Sequence, residues 1–331
     1  MILNPGILSL FAASLLTAIM VLYATLHGVQ ILRHWDLSSG SEAQLVLERK
    51  TYLVATVLSY FLAFQLVSLF LFIVTADNIH HLFVGAMCAV GTLTATPLGY
   101  PTLLLKCAGF LLAGLWLVFN HADSLGYDYP LIRTKYLLLL LLAPLLLAEA
   151  VLQGGYFLGL SPDIITSCCG SLFSPASRGI ATEIANAPPL PMLGIFYLSS
   201  ALTVGCGLRL AGSGSGGGIF ALASALQLVV ALVALVSVIS LYIYQMPSHH
   251  CPFCILQREY GFVGYPIYLA ILAAAVSGIG AGCLQRYRNV ASLAPELPHL
   301  TRRLALVSVS AVLLLAAIVT GYVVFTDFTL R

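Results

Sequence analysis

Charge is what this 331-residue chain has least of: 8% of it is Asp, Glu, Lys or Arg, against about a quarter in an ordinary soluble domain. That scarcity excludes a water-soluble globule. The chain also lacks any basic run or basic–aromatic interleaving, which excludes a nucleic-acid-binding face, and its net charge of +2 points to no strongly acidic partner. A basic n-region and a small-residue cleavage site are missing from the first apolar stretch, Pro5 to Gly28, so it is expected to be a retained helix rather than a cleaved leader. No repeat relates the two halves. What remains is apolar: 60% of the residues are hydrophobic and the mean hydropathy is +1.01.

Apolar stretches of about 18 residues or more read as membrane spans. Eight occur, near 6–29, 52–74, 101–120, 136–155, 192–210, 219–245, 261–284 and 304–326. The expected fold is therefore all-α, a polytopic helical bundle in the bilayer. The positive-inside rule sets its orientation. With the N-terminus outside, the inner segments carry Arg33, Arg49, Lys50, Arg133, Lys135, Arg209, Arg286, Arg288, Arg302 and Arg303, ten of the fourteen basic residues. Both termini then lie on the outer side, and the location implied is a bacterial inner membrane.

That topology sorts the eight cysteines. Cys88, Cys168, Cys169, Cys251 and Cys254 fall on or near the outer side, where disulfides form in a compartment such as the periplasm. Cys107, Cys206 and Cys283 lie inside spans and read as small packing residues. The run Ala211 to Gly218, rich in Gly and Ser, reads as a flexible inner linker dividing residues 1–210, with five helices, from residues 219–331, with three. Lys106 and Glu149 fall within spans, where ionisable side chains pair, snorkel or mark function. His27 reads as interfacial. His80 to Gly91 reads as a re-entrant or interfacial segment, too broken for a span.

The chemistry concentrates in Ser248-His249-His250-Cys251-Pro252-Phe253-Cys254-Ile255-Leu256-Gln257-Arg258. Two thiols in C-x-x-C spacing can close a small disulfide ring or grip a metal from one side. Lying between two spans, the motif is expected at a helix start, where backbone N–H groups favour a thiolate. A helix continuing from there would stack Arg258 on Cys254 at i+4. Cys168-Cys169 is a second feature: adjacent cysteines can form a strained, labile ring, or pair separately with Cys88 or with the C-x-x-C.

Cys251-Pro252-Phe253-Cys254-Ile255-Leu256-Gln257-Arg258 resembles, position by position, the C-P-x-C-x-x-Q-R motif of the DsbB family of membrane thiol oxidases. The resemblance covers about the final third of the chain. It implies a quinone-coupled thiol–disulfide oxidoreductase, re-oxidising a periplasmic dithiol protein with ubiquinone or menaquinone as acceptor. Cys251 and Cys254 would be the quinone-proximal pair, Cys254 the thiolate facing quinone, and Arg258 the contact to a quinone oxygen, with Gln257 and His250 beside it. The family's second cysteine pair, in a later outer loop, has no counterpart here, so Cys168 and Cys169 are expected to supply it. The competing expectations are a soft-metal or haem protein, with His249, His250, Cys251 and Cys254 as ligands and Cys88, Met87, Cys168 and Cys169 supplying a second site, and an anchoring subunit of a larger membrane complex.

Overall fold

The computed structural model describes residues 3–36, 39–161, 165–166 and 180–328. Cys168 and Cys169 lie outside them. Eight helices in it are long and apolar enough to cross a membrane, and among the described residues there is no strand, only an isolated bridge between Val84 and Ile165. The protein is a polytopic helical bundle. We number the spans α1 (Pro5–His34), α2 (Glu42–Asn78), α3 (Gly99–Leu125), α4 (Ile132–Leu158), α5 (Pro189–Ser213), α6 (Gly217–Ala234, prolonged through Leu235–Ile239 and Ser240–Tyr244), α7 (Gly264–Leu284) and α8 (Leu297–Phe325).

The chain forms two compact units. The first comprises residues 1–84, 92–166 and 290–294, and in it α1, α2, α3 and α4 pack as a ring of four neighbours. Its core runs through Val21, Leu58, Leu62, Trp116, Tyr136, Leu139 and Leu142. The second comprises residues 85–91, 167–289 and 295–331, with α5, α6, α7 and α8 in the same cyclic order. Both have the residue distribution that lipid demands. Large apolar side chains such as Leu15, Leu26, Leu104, Val151, Leu198 and Leu222 point outward, and buried polar side chains such as Gln65, Lys106 and Gln227 bond to other buried side chains of the same bundle.

The division differs from the one read off the sequence. Helix α5 packs with the C-terminal spans, giving four helices in each unit rather than five and three. The Gly/Ser run 211–218 is a tight turn inside the second unit rather than a flexible linker between units. Gly214 caps α5 in the left-handed region at φ 61°, Gly216 follows at φ 86°, and α6 begins at once. Gln285 clamps that turn, accepting from the Gly217 N–H and donating to the Gly214 carbonyl. Helices α6 and α7 also touch closely: a Cβ added at Gly278 or Gly282 would run into Ser224 or into the Gly217 carbonyl and Ala221. A small residue every four positions is how membrane helices approach backbone to backbone.

Within the first unit the intramembrane charges pair. Lys106 Nζ donates to Glu149 Oε1 and to Ser68 Oγ, each at 2.7 Å, and Gln65 Nε2 donates to both Glu149 oxygens at 2.8 and 2.6 Å. A second pair, Lys135 and Asp123 at 2.5 Å, is equally buried. His27 is buried too, its Nε2 3.2 Å from Thr51 Oγ1, so it belongs to the α1–α2 contact rather than to an interface.

Candidate functional site

The site is assembled at one end of the second unit by three pieces of backbone: the end of α6, the loop 245–263, and the segment 85–91. Helix α6 does not end smoothly. Residues Leu235–Ile239 form a π turn, and the wider spacing leaves the Val236 carbonyl accepting from side chains, His250 Nδ1 at 2.9 Å and Ser240 Oγ at 3.1 Å. Because a carbonyl only accepts, Nδ1 carries the imidazole proton in this contact. Gln245 then turns the chain at φ 54° and the C-x-x-C follows.

The motif does not start a long helix. Cys254–Leu256 is a single 3-10 turn, Gln257 is extended at φ −83° and ψ 161°, and Arg258–Tyr260 is a second 3-10 turn. Gly261 at φ 62° and Phe262 at φ 57° reverse the chain before α7 begins at Gly264. The expected i+4 stacking of Arg258 on Cys254 is therefore absent, because the extended Gln257 rotates Arg258 away, and Arg258 is exposed. The physical cause is packing. Phe253, Ile255 and Leu256 are buried as an apolar plug over the start of α7, and at Gly264 a Cβ would meet Ile255 and Leu256 at 2.8 Å. A continuous helix could not bury all three on one side.

Two tyrosines hold the motif's main chain. Tyr244 Oη donates to the Cys251 carbonyl at 2.5 Å and Tyr268 Oη to the Pro252 carbonyl at 2.6 Å. Tyr244 also meets the His249 ring edge-on at 4.3 Å and the Tyr260 ring at 4.7 Å. Gln257, expected beside a cofactor, donates from Nε2 to the Met87 carbonyl at 3.1 Å. That bond ties the motif to the segment carrying Cys88.

The outcome is a cluster of three thiols. Cys88, Cys251 and Cys254 are 1%, 0% and 7% exposed, and their sulfurs all lie within 4.8 Å of one another. Cys88 Sγ is 3.7 Å from Cys251 Sγ, close contact but well beyond the roughly 2.05 Å of an S–S bond. The Phe253 N–H points at Cys251 Sγ from 3.5 Å. Burial pulls the His249 imidazole below its ordinary value, with Cys88 opposing and His250 assisting, so the ring is neutral at pH 7. Burial, then the Cys254 thiol, push the Tyr260 phenol up.

Sequence reasoning placed Cys251, Cys254 and Cys88 among the candidates but did not bring Cys88 to Cys251, 163 residues away. It missed Tyr244 and Tyr268, which no spacing rule marks. Of residues 80–91 it is Cys88 that joins the cluster, whereas Met87 is 70% exposed and the His80 ring bonds the Asp77 carbonyl. Cys107, Cys206 and Cys283 stay outside the cluster. Comparison with protein-family models, curated proteins and solved structures finds no match.

Proposed function

We propose that the protein is a multi-pass membrane thiol–disulfide oxidoreductase, exchanging electrons between an outer dithiol partner and a membrane quinone. The observation that carries this reading is the buried three-thiol cluster, in which a C-P-x-C pair has a third sulfur in contact with its first member. Thiol–disulfide exchange needs an attacking sulfur close to a disulfide sulfur, with a second thiol ready to resolve the mixed species. Cys88, Cys251 and Cys254 supply those three roles without any large displacement.

In the proposed cycle the resting state has a Cys251–Cys254 disulfide. A reduced partner passes two electrons to a Cys168–Cys169 disulfide and leaves as its own disulfide. The reduced pair then attacks Cys251, forms a mixed disulfide with it and re-forms its own S–S bond as Cys251 and Cys254 are released as thiols. Cys251 and Cys254 then hold two thiols. They pass two electrons and two protons to a quinone, ubiquinone or menaquinone, which becomes the quinol as their S–S bond re-forms. Cys254 is the thiolate facing quinone, and Arg258, exposed four residues on, contacts a quinone oxygen; His250 lines the same approach. Cys168 and Cys169 serve as the partner-facing pair. The orientation is that of the positive-inside reading, with the motif on the periplasmic side of a bacterial inner membrane.

The test is quinone reduction by the full chain in detergent with a reduced dithiol donor, followed by the loss of quinone absorbance. Cys251→Ala and Cys254→Ala should each abolish turnover. Arg258→Ala should slow quinone reduction while leaving the thiol titre unchanged. Turnover that persists in Cys254→Ala would overturn the reading. Peptide mapping of that variant without reductant then reports the trapped partner of Cys251, either Cys88 or one of Cys168 and Cys169.

A further inference from the structure

We infer that the reduced cluster is also a metal site, with Cys88, Cys251 and Cys254 holding one thiophilic d10 ion, Cu(I) or Zn(II), through their sulfurs. The inference needs the three thiols reduced but not the quinone chemistry, and so goes beyond the oxidoreductase reading.

Spacing is the first ground. Ligand sulfurs about 2.3 Å from a central ion stand roughly 3.8 Å apart in a tetrahedral arrangement. Cys88 and Cys251 are 3.7 Å apart, and all three sulfurs fall within 4.8 Å. Cys251 and Cys254 are neighbours by their spacing, and the fold brings to them a third sulfur, Cys88, from 163 residues away.

Ligand chemistry is the second. Three thiolates select soft ions and disfavour Mg(II) and Ca(II), which require oxygen ligands. Among the described residues no carboxylate joins the group. Burial at 7% exposure or less keeps water from competing for the ion.

The third ground is what surrounds the sulfurs. His249 Nε2 is buried without a hydrogen-bond partner and near enough to Cys88 to feel its charge, outside the 4.8 Å group of sulfurs but one side-chain rotation from it. A buried polar atom left unsatisfied is destabilising, and a fourth metal bond would give it a partner. The ligand-bearing backbone is held as ligands usually are: Tyr244 and Tyr268 fix the carbonyls of Cys251 and Pro252, and Gln257 fixes that of Met87. A zinc ion would take His249 or a water as fourth ligand, whereas Cu(I) is content with the three sulfurs.

Binding releases up to three thiol protons and changes no oxidation state. A Cys251–Cys254 disulfide removes two of the three ligands. Metal occupancy and the oxidised state therefore exclude each other, and the ion locks the pair reduced.

The experiment loads the full chain, reduced with a phosphine under anaerobic conditions in detergent, with Zn(II) in one arm and Cu(I) in the other. After desalting, one equivalent of metal per chain is expected in at least one arm, with three sulfur neighbours by X-ray absorption. Cys88→Ser should weaken retention on the order of 100-fold in a chelator competition, and His249→Ala should weaken Zn(II) but not Cu(I). Should Cys88→Ser fail to fold, alkylation of the wild-type chain replaces it. Bound metal should protect Cys88, Cys251 and Cys254 and leave Cys283 reactive. No retained metal in either arm, retention unaffected by Cys88→Ser, or alkylation without protection would each overturn the inference. None of these readouts involves quinone, so the metal site and the oxidoreductase reading fail separately.

Discussion

Replacing Lys106 by methionine removes the cation from a carboxylate that has no water to turn to. Glu149 sits at 2% side-chain exposure between α2, α3 and α4, accepting from Lys106 at 2.7 Å and from Gln65 at 2.8 and 2.6 Å. Coulomb attraction across 2.7 Å at an effective dielectric of 20 is about 6 kcal/mol, an upper bound on what the lysine returns against its own desolvation. Breaking such a pair from one side typically costs about 3–5 kcal/mol, because the surviving charge stays buried. Lys106→Met should therefore lose about that much, and Glu149→Leu a similar amount plus the stranded Gln65 amide. The double variant removes both charges and leaves mainly the Gln65 amide unsatisfied, at about 1–3 kcal/mol. The two single losses should thus exceed the double loss by at least about 3 kcal/mol. Reversible unfolding of the full chain in mixed micelles, titrated with SDS, measures all four corners of the cycle. Single variants within about 1 kcal/mol of the parent, or a double variant as damaged as the sum, would refute the reasoning.

Asp123→Asn should destabilise by a comparable few kcal/mol in the same assay, since Lys135 is 3% exposed and keeps the Asn120 oxygen at 3.1 Å and the Tyr129 and Tyr136 rings but no carboxylate, while the Leu131 N–H retains its acceptor. Gly282→Ala should cost about 1–3 kcal/mol, because its methyl meets the Gly217 carbonyl and Ala221 and forces α6 away from α7; an unchanged SDS midpoint would disprove that contact. Tyr244→Phe should release the Cys251 carbonyl at about 1 kcal/mol and speed alkylation of Cys251, with Cys283 as the internal control. Gln257→Ala should loosen the Met87 segment and lower the yield of oxidative cross-linking between Cys88 and Cys251, with no change in the rate at Cys206.

The number and rough limits of the spans were legible because lipid leaves one solution for an apolar stretch: the backbone bonds itself into a helix, and composition alone reports it. For Lys106 and Glu149 the sequence left pairing, snorkelling or a functional role open, and the fold chose the pair. Cys251 and Cys254 announced themselves by spacing. What composition cannot carry is which helices become neighbours. The Gly/Ser run 211–218 has the make-up of a loose linker, yet Gln285, some seventy residues on, closes it into a tight turn, and α5 joins the second unit through that turn. The loop after Cys254 has helical residues, yet burying Phe253, Ile255 and Leu256 over α7 breaks it at Gln257 and sends Arg258 outward. Cys88 lies in a segment whose sequence suggests a re-entrant or interfacial stretch with no fixed partner, and tertiary packing alone sets its sulfur 3.7 Å from Cys251. Local sequence determined that this is a membrane protein carrying a C-x-x-C thiol pair. Long-range packing decided that the pair would be a buried cluster of three, because only the folded chain brings segments so far apart within bonding reach.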